Sequence, residues 1–277
     1  MKRMTAIDIG TNTMLMLIAD VDSKGTIRIV RDEHVIARLG RGVDENHRIL
    51  PETFERALGF LTEYKRIHES EHAQEIIACG TSALRDAVNG QDFVDFIRKR
   101  LGFEIEVLSG DEEAEMTYLG GISEFIEPGR DQSFVVLDIG GGSTEIVVGR
   151  SAKVTSKISL DIGSVRLTER FLKSSPPSLA GLVQAQQFIK DHLRSLHKPV
   201  DDSRCIGVAG TLTTLAAIDL QLSVYDRERV SGHVLTSKFI EEIFKVLKGK
   251  RLEELKSIPQ ILPERADIIL AGVMIIM

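Results

Sequence analysis

The chain has 277 residues, of which 43% are hydrophobic and 27% charged, the balance of a soluble globular protein with room for two ordinary domains. Its formal charge of −6 argues against nonspecific nucleic-acid binding, so any polyanionic partner must meet a local basic patch. Two cysteines, Cys79 and Cys205, are too few for a disulfide framework and form no C-x-x-C pair, so both read as buried thiols of a reducing compartment.

In chain order, Lys2 and Arg3 precede an apolar stretch, but Asp8 and Asn12 interrupt it, and no signal peptide is expected. An apolar strand ends at Asp8 in AIDIGTNT (6–13), and strands follow at 14–21 and 26–33, joined as a hairpin by DSKG at 22–25. PETFERALGFLTEYKRIHES (51–70) reads as an amphipathic helix. Its end holds HESEH (68–72), a literal H-E-x-x-H. A zinc site there needs His68 and His72 on one helix face, Glu69 as base and a third ligand. The polar setting and the absence of a downstream ligand favour a solvated helix end. IIACGTSALRDA (76–87) is a buried strand running into a Gly80–Thr81 turn and another helix. The polar segment EPGRDQ (127–132), with Pro128 and Gly129, places the expected boundary between domains 1–126 and 127–277.

The second half repeats the first. FVVL (134–137) leads into DIGGGSTE (138–145), strands follow at 145–150 and 154–161, a helix covers 178–198, and IGVAGTLTTLAA (206–217) resembles 76–87. Asp8 matches Asp138, Gly10 matches Gly140, Thr13 matches Ser143, Gly80 matches Gly210 and Thr81 matches Thr211, each 130 residues apart. Two motifs holding one offset indicate a duplicated α/β domain with a mixed sheet. The chain closes on IILAGVMIIM (268–277), too short to span a bilayer, so a cytoplasmic protein with no membrane partner is expected.

Three consecutive glycines cost conformational entropy and need a local reason. Both D-x-G turns set backbone N–H groups at a strand end with no Cβ in the way, and Thr11, Thr13, Ser143 and Thr144 add hydroxyl donors. The Gly-Thr turns open helices, whose N-termini also favour phosphate. Acids at the same strand ends repel phosphate. A divalent cation resolves the conflict, since Asp138 and Glu145 offer the hard oxygens that Mg²⁺ prefers.

DIGTNT (8–13), GTSALRDA (80–87), SGDEEAEMTYLGG (109–121), DIGGGSTE (138–145), IGSVRLTE (162–169) and VAGTLTT (208–214) occur in order. Together they resemble the exopolyphosphatase and guanosine pentaphosphate phosphatase (Ppx/GppA) family of the actin, sugar-kinase and heat-shock chaperone superfamily. The resemblance implies two duplicated ribonuclease H-like (actin-like ATPase) domains, each with a mixed five-stranded sheet flanked by helices, and an active site in the interdomain cleft. It implies metal-dependent hydrolysis of the terminal phosphoanhydride of inorganic polyphosphate, releasing orthophosphate; the alternative substrate is guanosine pentaphosphate.

By this resemblance Glu113 is the base that activates water, although on position alone a first-turn helix acid complementing the dipole is the favoured reading. Asp138 and Glu145 hold Mg²⁺ or another divalent cation. Gly10, Thr11, Asn12 and Thr13, with Gly140, Gly141, Gly142 and Ser143, form the phosphate loops, joined by Gly210 and Thr211. Arg85 contacts phosphate, and Arg166 is a weaker candidate; Arg38 and Arg41 either extend the basic lining or belong to a solvated loop. An ATP-dependent sugar kinase and a nucleotide-sensing module without turnover are the competing classes. The family closes its second domain with a further strand, whereas this sequence stops inside the preceding apolar helix. The expectation is therefore an exposed apolar run, covered by a missing tail or by a partner subunit such as a second copy in a homodimer.

Overall fold

Burial alternates along the first strand, with Thr5, Ile7 and Ile9 inside and Ala6 and Asp8 outside, which is the period-2 signature of a sheet packed on one face. The computed structural model describes residues 1–127, 129–194 and 202–277. Pro128 and positions 195–198 of the expected helix lie outside the described residues. Contacts divide the chain into two units, Met1–Ser109 and Gly110–Met277.

The first unit runs β1 (Lys2–Ile9), β2 (Met14–Val21), β3 (Ile27–Val35), α1 (Val43–Asn46), α2 (Pro51–Ser70), β4 (Glu75–Gly80), α3 (Ser82–Asp86), α4 (Gly90–Leu101) and β5 (Ile105–Val107). The sheet order is β3-β2-β1-β4-β5. β1 is antiparallel to β2 and parallel to β4, so the sheet is mixed as expected. Helix α2 starts with Pro51 in its first turn, where a missing N–H costs nothing. Its apolar face, Ala57, Leu61, Tyr64 and Ile67, packs with Met14, Met16, Phe93 and Ile97 into one core. The Tyr64 hydroxyl is satisfied there by the Met14 carbonyl at 2.9 Å.

The second unit runs α5 (Gly110–Ile122), β6 (Ser133–Ile139), β7 (Thr144–Arg150), β8 (Lys153–Leu160), α6 (Ser164–Phe171), α7 (Leu179–Leu193), β9 (Arg204–Val208), α8 (Ala209–Asp219), α9 (Arg227–Val230), α10 (Ser237–Leu247), α11 (Leu252–Lys256) and α12 (Ile269–Ile276). Its sheet, β8-β7-β6-β9, repeats the order of the first four strands of the other unit; among the described residues it has four strands where five were expected. The duplication extends to the backbone irregularity. A bulge interrupts β2–β3 between Ile18 and Ala19, and another interrupts β7–β8 between Val148 and Gly149, 130 residues on.

Four details depart from the sequence reading. The division falls before α5, not at 127–132. Ala114, Tyr118 and Ile122 recur every four residues along α5 and bury against Phe134, Val136 and Val147. Gly149 makes room for the Tyr118 ring, and the Tyr118 hydroxyl donates to the Ser151 carbonyl at 2.8 Å. The closing apolar run is not exposed: Ile269–Ile275 are buried, because α12 enters the core made by Leu167, Leu215, Ile243 and Leu247. The cysteines are not deeply buried either; Cys79 is half-buried and Cys205 is exposed. Finally, Asp8 pairs with Cys79 whereas Asp138 pairs with Val208, so the sheet keeps an offset of 129 between β4 and β9. Gly80 is thus matched in the sheet by Ala209, which takes a left-handed backbone (φ 68), and not by Gly210. Among the described residues no helix is long and apolar enough to cross a membrane.

Candidate active site

Each D-x-G turn is a tight reversal closed by one hydrogen bond. The Gly10 amide donates to the Thr13 carbonyl at 3.0 Å, and the Gly140 amide donates to the Ser143 carbonyl at 3.0 Å. A Cβ on Gly10 would come within 2.9 Å of the Thr13 oxygen, and one on Gly140 within 3.0 Å of the Ser143 oxygen, so both positions need glycine.

What orients these turns is a second segment that captures their carbonyls. In the second unit the start of α6 does so. The amide of Ser164 donates to Gly140 O at 2.9 Å, the amides of Val165 and Arg166 donate to Gly141 O at 2.9 and 3.2 Å, and Arg166 Nε donates to Gly142 O at 2.9 Å. A trans peptide points its C=O and N–H in opposite directions. With three successive carbonyls turned to α6, the amides of Gly141, Gly142 and Ser143 must point the other way. In the first unit the Gly40 amide donates to Thr11 O at 2.8 Å and the Arg38 amide to Asn12 O at 2.9 Å, which turns out the amides of Asn12 and Thr13. The supporting glycines Gly40 and Gly163 were missed in the sequence. A Cβ on Gly40 would overlap the Thr11 methyl, and one on Gly163 the Gly141 carbonyl. The G in RLGRG and in IGSVR was the available signal.

The two turns differ in what flanks them. In the first unit Asp8 is exposed and lies opposite Leu15. Thr11 is buried, its hydroxyl 2.7 Å from Ser82 Oγ at the start of α3, which brings the Gly-Thr turn against the D-x-G turn. Arg85, at the end of α3, is half-buried and donates from Nη1 to the Leu108 carbonyl at 2.9 Å. Arg41 is exposed, and the half-buried Arg38 holds a left-handed backbone (φ 51) as its amide caps the turn.

In the second unit three carboxylates gather. Asp138 is the penultimate residue of β6 and the direct cross-strand partner of Glu145, the second residue of β7. Glu113 lies in the first turn of α5, half-buried. Glu145 is 1% exposed, and Ser159 Oγ on β8 donates to its Oε1 at 2.7 Å. Burial, then the charges of Glu113 and Asp138, push the Glu145 carboxyl well above the usual carboxylate range. Burial and the Glu113 charge push Asp138 the same way.

Such a cluster must either hold protons or bind a cation. A buried carboxylate, Glu145, and a half-buried one, Asp138, supply hard oxygen ligands, so the residues fit a divalent ion. Among the described residues no three His, Cys, Asp or Glu side chains converge as a ready-made cage. That suits Mg²⁺, which commonly binds one or two carboxylates and takes its other ligands from water and phosphate.

Gly210 and Thr211 sit differently from their first-unit counterparts. They lie inside the first turn of α8, where the Arg265 guanidinium occupies the space above Gly210 and the Thr211 side chain packs against Gly272 of α12. Arg265 is a residue the sequence reading overlooked: burial pushes its pKa down, and it sets a cation against the second Gly-Thr turn. The H-E-x-x-H match does not make a metal site. Helix α2 ends at Ser70, His72 lies beyond it at φ 54, and His68 Nδ1 sits 2.8 Å from Thr5 Oγ1.

A family model described as the Ppx/GppA phosphatase family matches residues 17–277. Exopolyphosphatase 2 of Mycobacterium tuberculosis is 36% identical over 285 residues, spanning 99% of this chain and 88% of that protein. Among solved structures, a Ppx/GppA family member from Aquifex aeolicus aligns with a TM-score of 0.81 and 33% identity over 99% of this chain and 88% of its own. An exopolyphosphatase-like protein aligns with a TM-score of 0.91 and 32% identity over 99% and 86%. An exopolyphosphatase from Cytophaga hutchinsonii aligns with a TM-score of 0.86 and 28% identity over 99% and 89%.

Proposed function

Because the chain belongs to the Ppx/GppA phosphatase family, we propose that this hydrolase of phosphoanhydride bonds is an exopolyphosphatase, releasing orthophosphate from the end of inorganic polyphosphate. The observation that carries the reading is the second unit's cluster. Glu113 faces the field of a cross-strand Asp138–Glu145 pair, beside a turn whose amides are directed away from α6.

In this reading the amides of Gly141, Gly142 and Ser143 hold phosphate oxygens, while the buried Ser143 hydroxyl bonds the Glu145 carboxyl. The first unit's turn, Gly10 with Thr11, Asn12 and Thr13, offers the same chemistry, and Arg85 adds a fixed cation. Arg265 keeps positive charge at Gly210, and Thr211 packs behind it. Asp138 and Glu145 hold Mg²⁺ or another divalent ion, which when bound neutralises charge on the phosphates. Glu113 accepts the proton of the attacking water. Little covalent chemistry is then required, because phosphoryl transfer is accelerated mainly by positioning and electrostatic stabilisation. Two thiols without a disulfide suit a reducing, cytoplasmic setting.

The test is orthophosphate release from medium-length polyphosphate with Mg²⁺, run beside guanosine pentaphosphate. Faster turnover of polyphosphate supports the reading. Release from guanosine pentaphosphate alone replaces it with the nucleotide phosphatase, and ATP-dependent phosphorylation of a sugar without phosphate release replaces it with a kinase.

A further inference from the structure

We propose that Lys157 is a positioning residue for Glu113: it clamps the first turn of α5 onto β8 and so fixes the direction of the carboxylate. The inference rests on the reading of Glu113 as the proton acceptor. Lys157 Nζ lies 2.7 Å from Glu115 Oε1, 3.2 Å from Asp111 Oδ2 and 3.4 Å from the Asp111 carbonyl. Its side chain is only 24% exposed, although both acids it grips are on the surface.

Asp111 and Glu115 are four residues apart and share one helix face, while Glu113, midway between them, projects from the opposite side. The clamp therefore fixes the roll of the helix without touching Glu113. Ser159 lies two residues along β8 on the same sheet face. It donates to Glu145 Oε1 at 2.7 Å and packs against Gly110, where an added Cβ would come within 2.8 Å of the Ser159 Cβ. One face of β8 thus ties down both the start of α5 and the buried metal-side carboxylate. The placement of Glu113 relative to the Glu145 carboxylate is set there.

Surface ion pairs of this type contribute little to stability. Misplacing a catalytic group by a fraction of its reach costs far more in rate. The test compares wild type, Lys157→Met, Lys157→Arg and the Lys157→Met/Glu113→Gln double variant in polyphosphate hydrolysis. Lys157→Met lowers kcat on the order of tenfold with KM nearly unchanged, and Lys157→Arg restores most of it. The double variant is no slower than Glu113→Gln alone, since the two act through one carboxylate.

Amide exchange in residues 110–115 supplies a readout that needs no activity, and it quickens in Lys157→Met. If the wild type proves inactive, the exopolyphosphatase reading falls while the clamp is still judged by exchange. Unchanged kcat with unchanged exchange overturns the proposal, as does additive loss in the double variant. Should Lys157→Met fail to fold, Asp111→Asn/Glu115→Gln removes the same clamp from the helix side and faces the same criteria.

Discussion

Asp138 and Glu145 face one another across the β6–β7 hairpin, two acids in direct cross-strand register, whereas the matching pair in the first unit is Asp8 and Leu15. Like charges set opposite each other destabilise a sheet, and more so when buried. Duplication therefore gave two phosphate-type turns but only one carboxylate pair, and α5 brings Glu113 to that same unit.

Removing the proposed proton acceptor should leave the fold and remove the rate. Glu113→Gln is expected to slow orthophosphate release by roughly 10²- to 10⁴-fold, with an unchanged circular dichroism spectrum. Rates equal to wild type would take Glu113 out of the mechanism.

The carboxylate pair should trade stability for function. Both carboxyls are held above their unfolded pKa, so without metal the folded state binds more protons than the unfolded chain. Stability then falls as pH rises from the ordinary carboxylate pKa of about 4 through neutrality. Glu145→Leu, the residue type of the first hairpin, should flatten that fall and melt higher than wild type in EDTA at about pH 8, while losing activity. Mg²⁺ at a hundred times its Kd should stabilise wild type by about 2.7 kcal/mol and the variant hardly at all. A variant that melts lower than wild type in EDTA would contradict this account.

Glycines should divide by what a Cβ meets. Gly163→Ala drives a methyl into the Gly141 carbonyl, so a loss of about 1–3 kcal/mol and a raised KM are expected. Gly59, exposed in the middle of α2 with nothing near its Cβ position, should behave oppositely, Gly59→Ala adding about 0.5–1 kcal/mol. Urea unfolding of both variants checks the pair.

An acid on the far side of the first unit should show the reverse pH sign. Asp20 is 6% exposed and takes a two-pronged grip from Arg3, at 2.8 and 3.1 Å, and a third bond from Arg28 at 2.6 Å. The hydrogen bonds from Arg3 and then Arg28 hold its carboxyl well below the usual range. Its stabilisation is complete above the unfolded pKa of about 4 and is lost as pH falls through the lower folded value. Asp20→Asn should melt lower than wild type near neutral pH, and the gap should narrow on acidification below about pH 4. A gap that stays constant to low pH would mean the ion pairs contribute nothing.

The sequence by itself determined the duplication, the D-x-G turns and the run of α2 over 51–70, and it singled out Asp138, Glu145 and, through the family resemblance, Glu113 as candidates for the site. Those features are written in local chemistry: glycine where a reversal crowds a carbonyl, alternation or a helical stripe where one face is buried. Tertiary structure decided what depends on residues far apart. It placed α5 in the second unit, because three buried side chains of a largely polar helix find their partners on β6, β7 and β9. It buried α12, whose uniformly apolar surface has no polar face to mark solvent. It shifted the pairing of β9 by one residue, moving Gly210 beneath Arg265 and away from the place of Gly80. And it set Lys157 beside α5, an ion-pair geometry that no local pattern encodes, since packing and charge pairing are settled across the sheet and not along the chain.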